Sequence, residues 1–483
     1  MDTCWRTLNK NVFLVSRDGS RPLLYAPLQG IAMEVNAAFV QRFERALQGD
    51  ADSANALGME AAGIEKFIQT PPNARHLLDP QWPQTFEPAS ATIFLTHKCT
   101  LRCSYCYCHG GEGADMPWPI FERAVRFTLD NARRQKRDLR LSFHGGDPGA
   151  CWPYFQQCIA FIEQACGEAG VKPVLSIGTN GFYADAQAEY LAKHIDNATV
   201  SIDGSPEVHD LCRATAAGQP SLERTLRTVQ AFEANRVPYS VRMTVTAQSL
   251  PRLAESVDFI CRHTRTPAIR AEPLYARGRA TASALGVPDP AQFVAGFRQA
   301  SAVARQHGRL LTYSGARITG VFSSFCAYPA PTFGVTPEGN LTCCYEVLHP
   351  GDPLRDPFFY GHVPADGSGI CVDETRVAAI RAGARQRREA CAHCFCVFAC
   401  AGDCAAKTMD EPLEGSETPG RCQITRALVH DMLRAALEGD NPLQPPPAAA
   451  ANTRSDASCP CEECAQPDPA LPPHPHPPRG SAP

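Results

Sequence analysis

The stretch Lys98–Tyr107, KCTLRCSYCY, sets Cys99, Cys103 and Cys106 in a C-x3-C-x2-C pattern directly after the apolar run Ala91–Thr96. Three thiolates on one short loop can hold three corners of an iron–sulfur cube. The fourth iron then lacks a protein ligand and is free to bind a substrate or cofactor. A zinc site and buried structural thiols are the competing readings, but zinc usually gathers four ligands from paired C-x2-C knuckles.

A second cysteine field lies in the C-terminal third. Cys326 is followed by Gly339 and, after four intervening residues, by Cys344. Then come Cys391, Cys394, Cys400 and Cys404, spaced C-x2-C-x5-C-x3-C, and finally Cys422. The chain has 23 cysteines in 483 residues, and they bunch in segments. Its N-terminus, MDTCWRTLNKN, lacks the apolar core of an export signal, so a reducing cytoplasm and metal ligation are expected rather than disulfides. A formal charge of −4 without a dense basic run disfavours nucleic acid as a partner. No apolar stretch approaches the length of a membrane span.

These cysteines must be positioned by a scaffold, and the middle of the chain supplies its pattern. Short β-rich runs at Ala91–Thr96, Leu139–His144, Val174–Thr179, Ala198–Ile202, Tyr239–Val245 and Ile269–Leu274 alternate with amphipathic stretches. The latter include Ile120–Arg134, Pro153–Ala165, Ala184–His194 and Leu222–Asn235. Such alternation predicts an α/β fold, a partial (β/α)6 barrel of parallel strands with its site at the strand C-termini. Each remaining motif falls at such an end. His144–Pro148 reads HGGDP, whose glycines permit close backbone approach to a ligand and whose Asp147 can face a cationic amine. Thr179–Gly181 is TNG, with Asn180 at its centre, and Ser201–Gly204 is SIDG. Glu272 ends the sixth strand, facing the site or capping the barrel rim.

C-x3-C-x-aromatic-C after a first strand, with Tyr105 as the aromatic, resembles the radical S-adenosylmethionine enzymes. That resemblance implies a [4Fe–4S] cluster on Cys99, Cys103 and Cys106 whose open iron chelates S-adenosylmethionine. Reductive cleavage would release a 5′-deoxyadenosyl radical that abstracts hydrogen. It further implies cofactor contacts from Tyr105, Gly145, Gly146, Asp147 (where the family usually has Glu), Asn180, Ser201 and Asp203. Arg213 would pair with the methionine carboxylate, or else form a surface salt bridge. The run SIDGSPEVHDLCR, Ser201–Arg213, is similar to one common in enzymes that modify peptides and proteins.

The second cysteine field resembles a SPASM domain. Carried over by position, Cys326, Cys344 and Cys404 would hold a first auxiliary cluster, and Cys391, Cys394, Cys400 and Cys422 a second. Either Cys343 completes the first cluster or an iron stays open to the substrate. Cys108, Cys151, Cys158, Cys166, Cys212, Cys261, Cys371 and Cys396 fall outside the pattern and are expected to be buried small apolar residues. The organisation expected is therefore an α+β element over 1–85, a barrel over 86–310 and a cysteine-rich domain over 311–440; in the first, LLYAPLQGIAMEVNAAF resembles small leader-peptide recognition domains, the alternative being an ordinary extension packed on the barrel. A Pro/Ala-rich disordered tail over 441–483 carries Cys459, Cys461 and Cys464, left unassigned.

Together these features imply an oxidoreductase that crosslinks side chains of a ribosomally made precursor peptide, drawing electrons from a flavodoxin or ferredoxin. An anaerobic sulfatase-maturing enzyme that makes formylglycine is the alternative; such enzymes tend to have Asp where Tyr345 stands. A non-catalytic iron–sulfur carrier is a third reading, against which GGDP, TNG and SIDG supply a cofactor pocket. Tyr345, Glu346 and Asp403 lie near cluster cysteines in sequence, which does not name a general base.

Overall fold

The computed structural model describes residues 3–439 apart from 18, 60, 75–77, 79–81, 84, 331 and 409–419. The tail with Cys459, Cys461 and Cys464 lies outside the described residues.

The chain opens with a four-stranded antiparallel sheet, β1 (Cys4–Asn9), β2 (Val12–Ser16), β3 (Leu23–Ala26) and β4 (Ile31–Glu34), in that spatial order. The sequence pattern had missed β1, whose residues are mostly half-exposed and do not alternate clearly. Three helices follow, α1 (Ala37–Leu47), α2 (Ala51–Ala56) and α3 (Ala61–Ile68). The Asn36 side chain caps α1 by accepting from the Phe39 N–H at 2.8 Å. Strand alternation gives this sheet two buried faces. Val12, Leu24 and Ala26 pack with Val40 and Phe43 of α1, whereas Phe13, Val15, Leu23 and Tyr25 join the core of the rest of the chain. The N-terminal sheet is thus held from both sides.

Six parallel strands then follow: β5 (Ser90–Thr96), β6 (Leu139–Gly145), β7 (Pro173–Thr179), β8 (Asn197–Ser201), β9 (Tyr239–Val245) and β10 (Ala268–Pro273). Each lies within a residue or so of its expected place. Helices α4 (Trp118–Gln135), α5 (Trp152–Ala169), α6 (Asp185–His194), α7 (Pro206–Cys212), α8 (Leu222–Ala234) and α9 (Leu253–His263) fill the crossovers. Ile93, Leu95, Leu141, Phe143, Leu175, Ile177, Val200, Val241 and Ile269 point to those helices and form the core. Alternate positions, including Phe94, His144, Arg242 and Glu272, therefore face the enclosed side.

The sheet does not stop at six strands. After α10 (Pro290–Gln306), β11 (Leu310–Thr312) adds in parallel to β10. At the opposite edge, β12 (Gly334–Val335) pairs in parallel with β5. It leads through the antiparallel strands β13 (Asn340–Thr342), β14 (Phe359–His362) and β15 (Cys371–Val372) into the cysteine-rich region. Helices α11 (Glu374–Ala390) and α12 (Gly420–Leu437) complete the described chain. No helix among the described residues is long and apolar enough to cross a membrane.

Candidate active site

The loop after β5 is pinned by backbone bonds from three directions. Cys99 N–H donates to Gly111 (3.1 Å), Arg102 N–H to Ala214 (2.8 Å) and Ser104 N–H to Cys212 (2.9 Å). Arg279 reaches across from beyond β10 and donates to the carbonyls of Cys103 (2.9 Å) and Gly110 (3.1 Å). Cys99, Cys103 and Cys106 are all free thiols. Asn180 Nδ2 lies 3.5 Å from Cys99 Sγ, and Arg213 Nη1 lies 4.0 Å from Cys103 Sγ. Burial pushes the Cys103 thiol up to about 11, whereas a hydrogen bond from Cys108 lowers Cys106 to about 5, with Arg279 assisting. Soft donors with N–H groups and guanidinium charge directed at them fit an anionic thiolate-bound cluster. Among the described residues no three His, Cys, Asp or Glu side chains form a group able to hold one metal ion.

Gly145 and Gly146 are required for a reason the sequence did not reveal. A Cβ on Gly146 would stand 2.0 Å from the Lys98 carbonyl oxygen, and one on Gly145 would stand 2.5 Å from that of Thr96. The close approach they permit is to the cysteine loop, which is tied there by Gly146 N–H to Thr96 (2.9 Å) and Asp147 N–H to Lys98 (2.8 Å).

Asp147, only 1% exposed, is engaged within the protein rather than facing an open pocket. Its Oδ1 accepts from Tyr183 OH (2.8 Å) and Gly149 N–H (2.9 Å), and its Oδ2 from Thr179 Oγ1 (2.8 Å) and Asn180 N–H (2.9 Å). All four acceptor positions are filled. The carboxylate positions TNG, and through it Asn180, whose Nδ2 also donates to Thr100 Oγ1 at 3.1 Å. Burial raises its pKa against these four bonds.

The SIDG segment holds the opposite wall. Ser201 is half-buried at the last position of β8. Asp203 receives Arg213 at two points, the Tyr105 hydroxyl, and the Thr244 N–H at 2.9 Å. Arg213 is therefore not a surface salt bridge. It is 7% exposed and lies 5.2 Å from the Tyr105 ring centroid. Glu272 likewise is not a rim cap: it accepts from Ser314 N–H (3.0 Å) and Oγ (2.9 Å), and Arg421 stands 3.8 Å away.

In the second cysteine field, burial first, and then the charges of Cys404 and Cys326, hold the Cys344 thiol well above its usual range. Cys400 feels Cys391, Cys394 and Cys422 in the same way. Cys343 turns from its neighbour toward the Phe358 carbonyl at 3.4 Å. Cys396 and the six outlying thiols Cys108, Cys151, Cys158, Cys166, Cys212 and Cys261 are buried as expected, but Cys371 is exposed because it sits on the edge strand β15. Asp403 is bound at two points by Arg421, both 2.9 Å. Glu346 accepts from Tyr275 OH and pairs with Lys407 at 3.3 Å. Tyr345 faces the barrel interior, where it accepts from Thr92 Oγ1 at 2.9 Å and stacks on His144.

Sequence reasoning missed Cys108, Arg279, Tyr183 and Arg421. Only Cys108 carried a local signal, the C-x-C step, with its Sγ 3.4 Å from that of Cys106. The others act across large sequence separations.

The Radical SAM superfamily model matches residues 93–260. The cysteine-type anaerobic sulfatase-maturating enzyme of Clostridium perfringens is 23% identical over 159 residues, covering 31% of this chain and 42% of that protein. The sporulation killing factor maturation protein SkfB of Bacillus subtilis is 25% identical over 203 residues, covering 41% and 45% respectively. The chain thus spans about half the length of the curated relatives it matches. The solved structure of native anSMEcpe with bound AdoMet superposes with a TM-score of 0.56 at 15% identity. That match covers 72% of this chain and 98% of that one, and it is a likeness of fold.

Proposed function

Taking residues 93–260 as a radical SAM domain, we propose that this chain is a peptide or protein maturase that crosslinks side chains of a ribosomally made precursor. When bound, S-adenosylmethionine and a [4Fe–4S] cluster supply a hydrogen-abstracting radical. Cys99, Cys103 and Cys106 would hold that cluster, with Gly145, Gly146, Asn180, Ser201 and Arg213 around the cofactor and Asp147, Asp203 and Tyr105 positioning them. Cys326, Cys344 and Cys404, and separately Cys391, Cys394, Cys400 and Cys422, would hold auxiliary clusters that take up the electron when the modified side chain is oxidised. A flavodoxin or ferredoxin would supply reducing electrons.

The observation that carries this reading is convergence at the strand C-termini. GGDP ties down the cysteine loop by backbone bonds, while Asn180 approaches Cys99 from the end of β7 and Arg213, at the C-terminus of α7, approaches Cys103. The four-stranded N-terminal sheet supports a peptide substrate, since β4 is an edge strand to which an extended leader can add. Sulfatase maturation is the second reading, favoured by the likeness to the Clostridium perfringens enzyme. Against it, Tyr345 brings a phenol, engaged by Thr92, in place of a carboxylate.

Anaerobically reconstituted protein given dithionite and S-adenosylmethionine should release 5′-deoxyadenosine and methionine. Absence of both from iron-loaded protein sinks the enzyme reading. Mass spectrometry then separates the substrates. A precursor peptide encoded beside this gene should lose hydrogens by crosslinking, and a sulfatase peptide should remain unmodified.

A further inference from the structure

The N-terminal sheet meets the second cysteine field at one side chain. Trp5 of β1 donates from Nε1 to the His393 carbonyl at 2.8 Å, and its ring lies 5.7 Å from Phe395. Both contacts fall on the loop that carries Cys391, Cys394 and Cys400. The guanidinium of Arg426, on α12 one turn beyond Cys422, sits 4.2 Å over the same Trp5 ring. Its Nε is buried with no hydrogen-bond partner among the described residues. Arg426 is coupled electrostatically to Cys394, Cys422 and Cys396. One cation is therefore held on an indole face from the N-terminal sheet, one helical turn from Cys422 and against the loop that carries Cys394.

We infer that Trp5 and Arg426 form a cation–π bracket through which the N-terminal sheet sets the reduction potential of the second auxiliary cluster. The inference rests on the reading that Cys391, Cys394, Cys400 and Cys422 hold that cluster. A reduced cluster carries one more negative charge than an oxidised one. A guanidinium fixed beside a ligating sulfur therefore favours reduction and raises the potential. The ring face of Trp5 supplies the attraction that keeps the guanidinium there. Arg426 and Trp5 are positioning residues, acting through Cys394. Because Trp5 belongs to an edge strand of the N-terminal sheet, displacement of that strand would be read directly by the cluster.

The test is a potentiometric titration followed by electron paramagnetic resonance, on the full chain reconstituted with iron and sulfide. The wild-type protein should give a signal that Cys400→Ala removes together with bound iron. If Cys400→Ala removes neither, the cluster reading fails and the inference with it. If the signal is present, Arg426→Gln should move its midpoint to more negative potential at wild-type iron content, and Arg426→Lys should recover part of the shift. Trp5→Leu, which leaves every thiol and Arg426 in place, should shift the midpoint in the same direction by less, and Trp5→Phe should restore it. Should Arg426→Gln fail to retain the cluster, Trp5→Leu alone decides. An unmoved midpoint in Trp5→Leu, or a shift to more positive potential, overturns the inference.

Discussion

Arg213 and Asp203 form a two-point ion pair inside the barrel mouth, with Nε to Oδ2 at 2.9 Å and Nη2 to Oδ1 at 3.3 Å. The Tyr105 hydroxyl closes on the same carboxylate, so the cysteine loop and the end of β8 share one buried charge centre. Removing one partner leaves the other charge buried and unpaired. Arg213→Gln should therefore cost about 3–5 kcal/mol of stability, measured by urea denaturation. Tyr105→Phe should cost about 1.5–3 kcal/mol, a bond to a charged group, and leave the pair intact.

Gly146 tests how closely the cysteine loop is held. Its Cβ would meet the carbonyl oxygens of Lys98 and His97 at 2.0 and 2.6 Å, and backbone cannot swing aside as a side chain can. Gly146→Ala should destabilise by about 3 kcal/mol, the upper end of ordinary overpacking. Iron bound per chain should fall with it, and Gly167→Ala, where the added Cβ meets nothing, should change neither.

Asp147 separates a positioning role from a ligand role. Asn in its place cannot accept all four bonds, and the Asp147→Asn protein should lose about 1.5–3 kcal/mol of stability. A cofactor-contacting carboxylate would show the opposite pattern, weaker S-adenosylmethionine binding at unchanged stability, and isothermal titration alongside denaturation distinguishes the two.

His144, His209 and His430 are each depressed to about 4, chiefly by burial, with Arg242 adding to the effect at His144. A depressed histidine contributes stability that is complete above its unfolded value near 6.5 and is lost as pH falls through the folded value. The urea midpoint should hold near pH 7 and drop between pH 6.5 and 4. His430→Leu, which removes two ring nitrogens without a partner among the described residues, should flatten that slope.

Substituting Cys99, Cys103 and Cys106 together with Ala should remove roughly one third of the bound iron and all cofactor cleavage. Cys400→Ala should keep cleavage but yield no finished product. Iron assay and chromatographic detection of 5′-deoxyadenosine check both.

Much of this molecule was legible without coordinates. The six strands recur as short apolar runs, and the helices between them show spacings of three and four, because each element buries one face locally. Cysteine spacing marked both fields, since ligands on one loop must be close in sequence as well as in space. The N-terminal strand β1 was not legible, because its residues are mostly half-exposed and present no clean alternation.

The polar partners were invisible for a different reason. Asp147 reads as a free carboxylate until Thr179, Asn180 and Tyr183 are folded onto it. Arg213 reads either as a partner of a cofactor carboxylate or as a surface group until the segment after β8 brings Asp203 beneath it. Trp5 and Arg426 are separated by nearly the whole described chain and meet only because two faces of the N-terminal sheet are buried at once. Local periodicity records which side of an element is apolar; it holds no information on which distant charge will satisfy a buried donor. The sequence alone therefore determined the six barrel strands, the thiols and the chemistry they can support. The tertiary structure decided which side chains remain open to a ligand and which are already consumed in holding the site together.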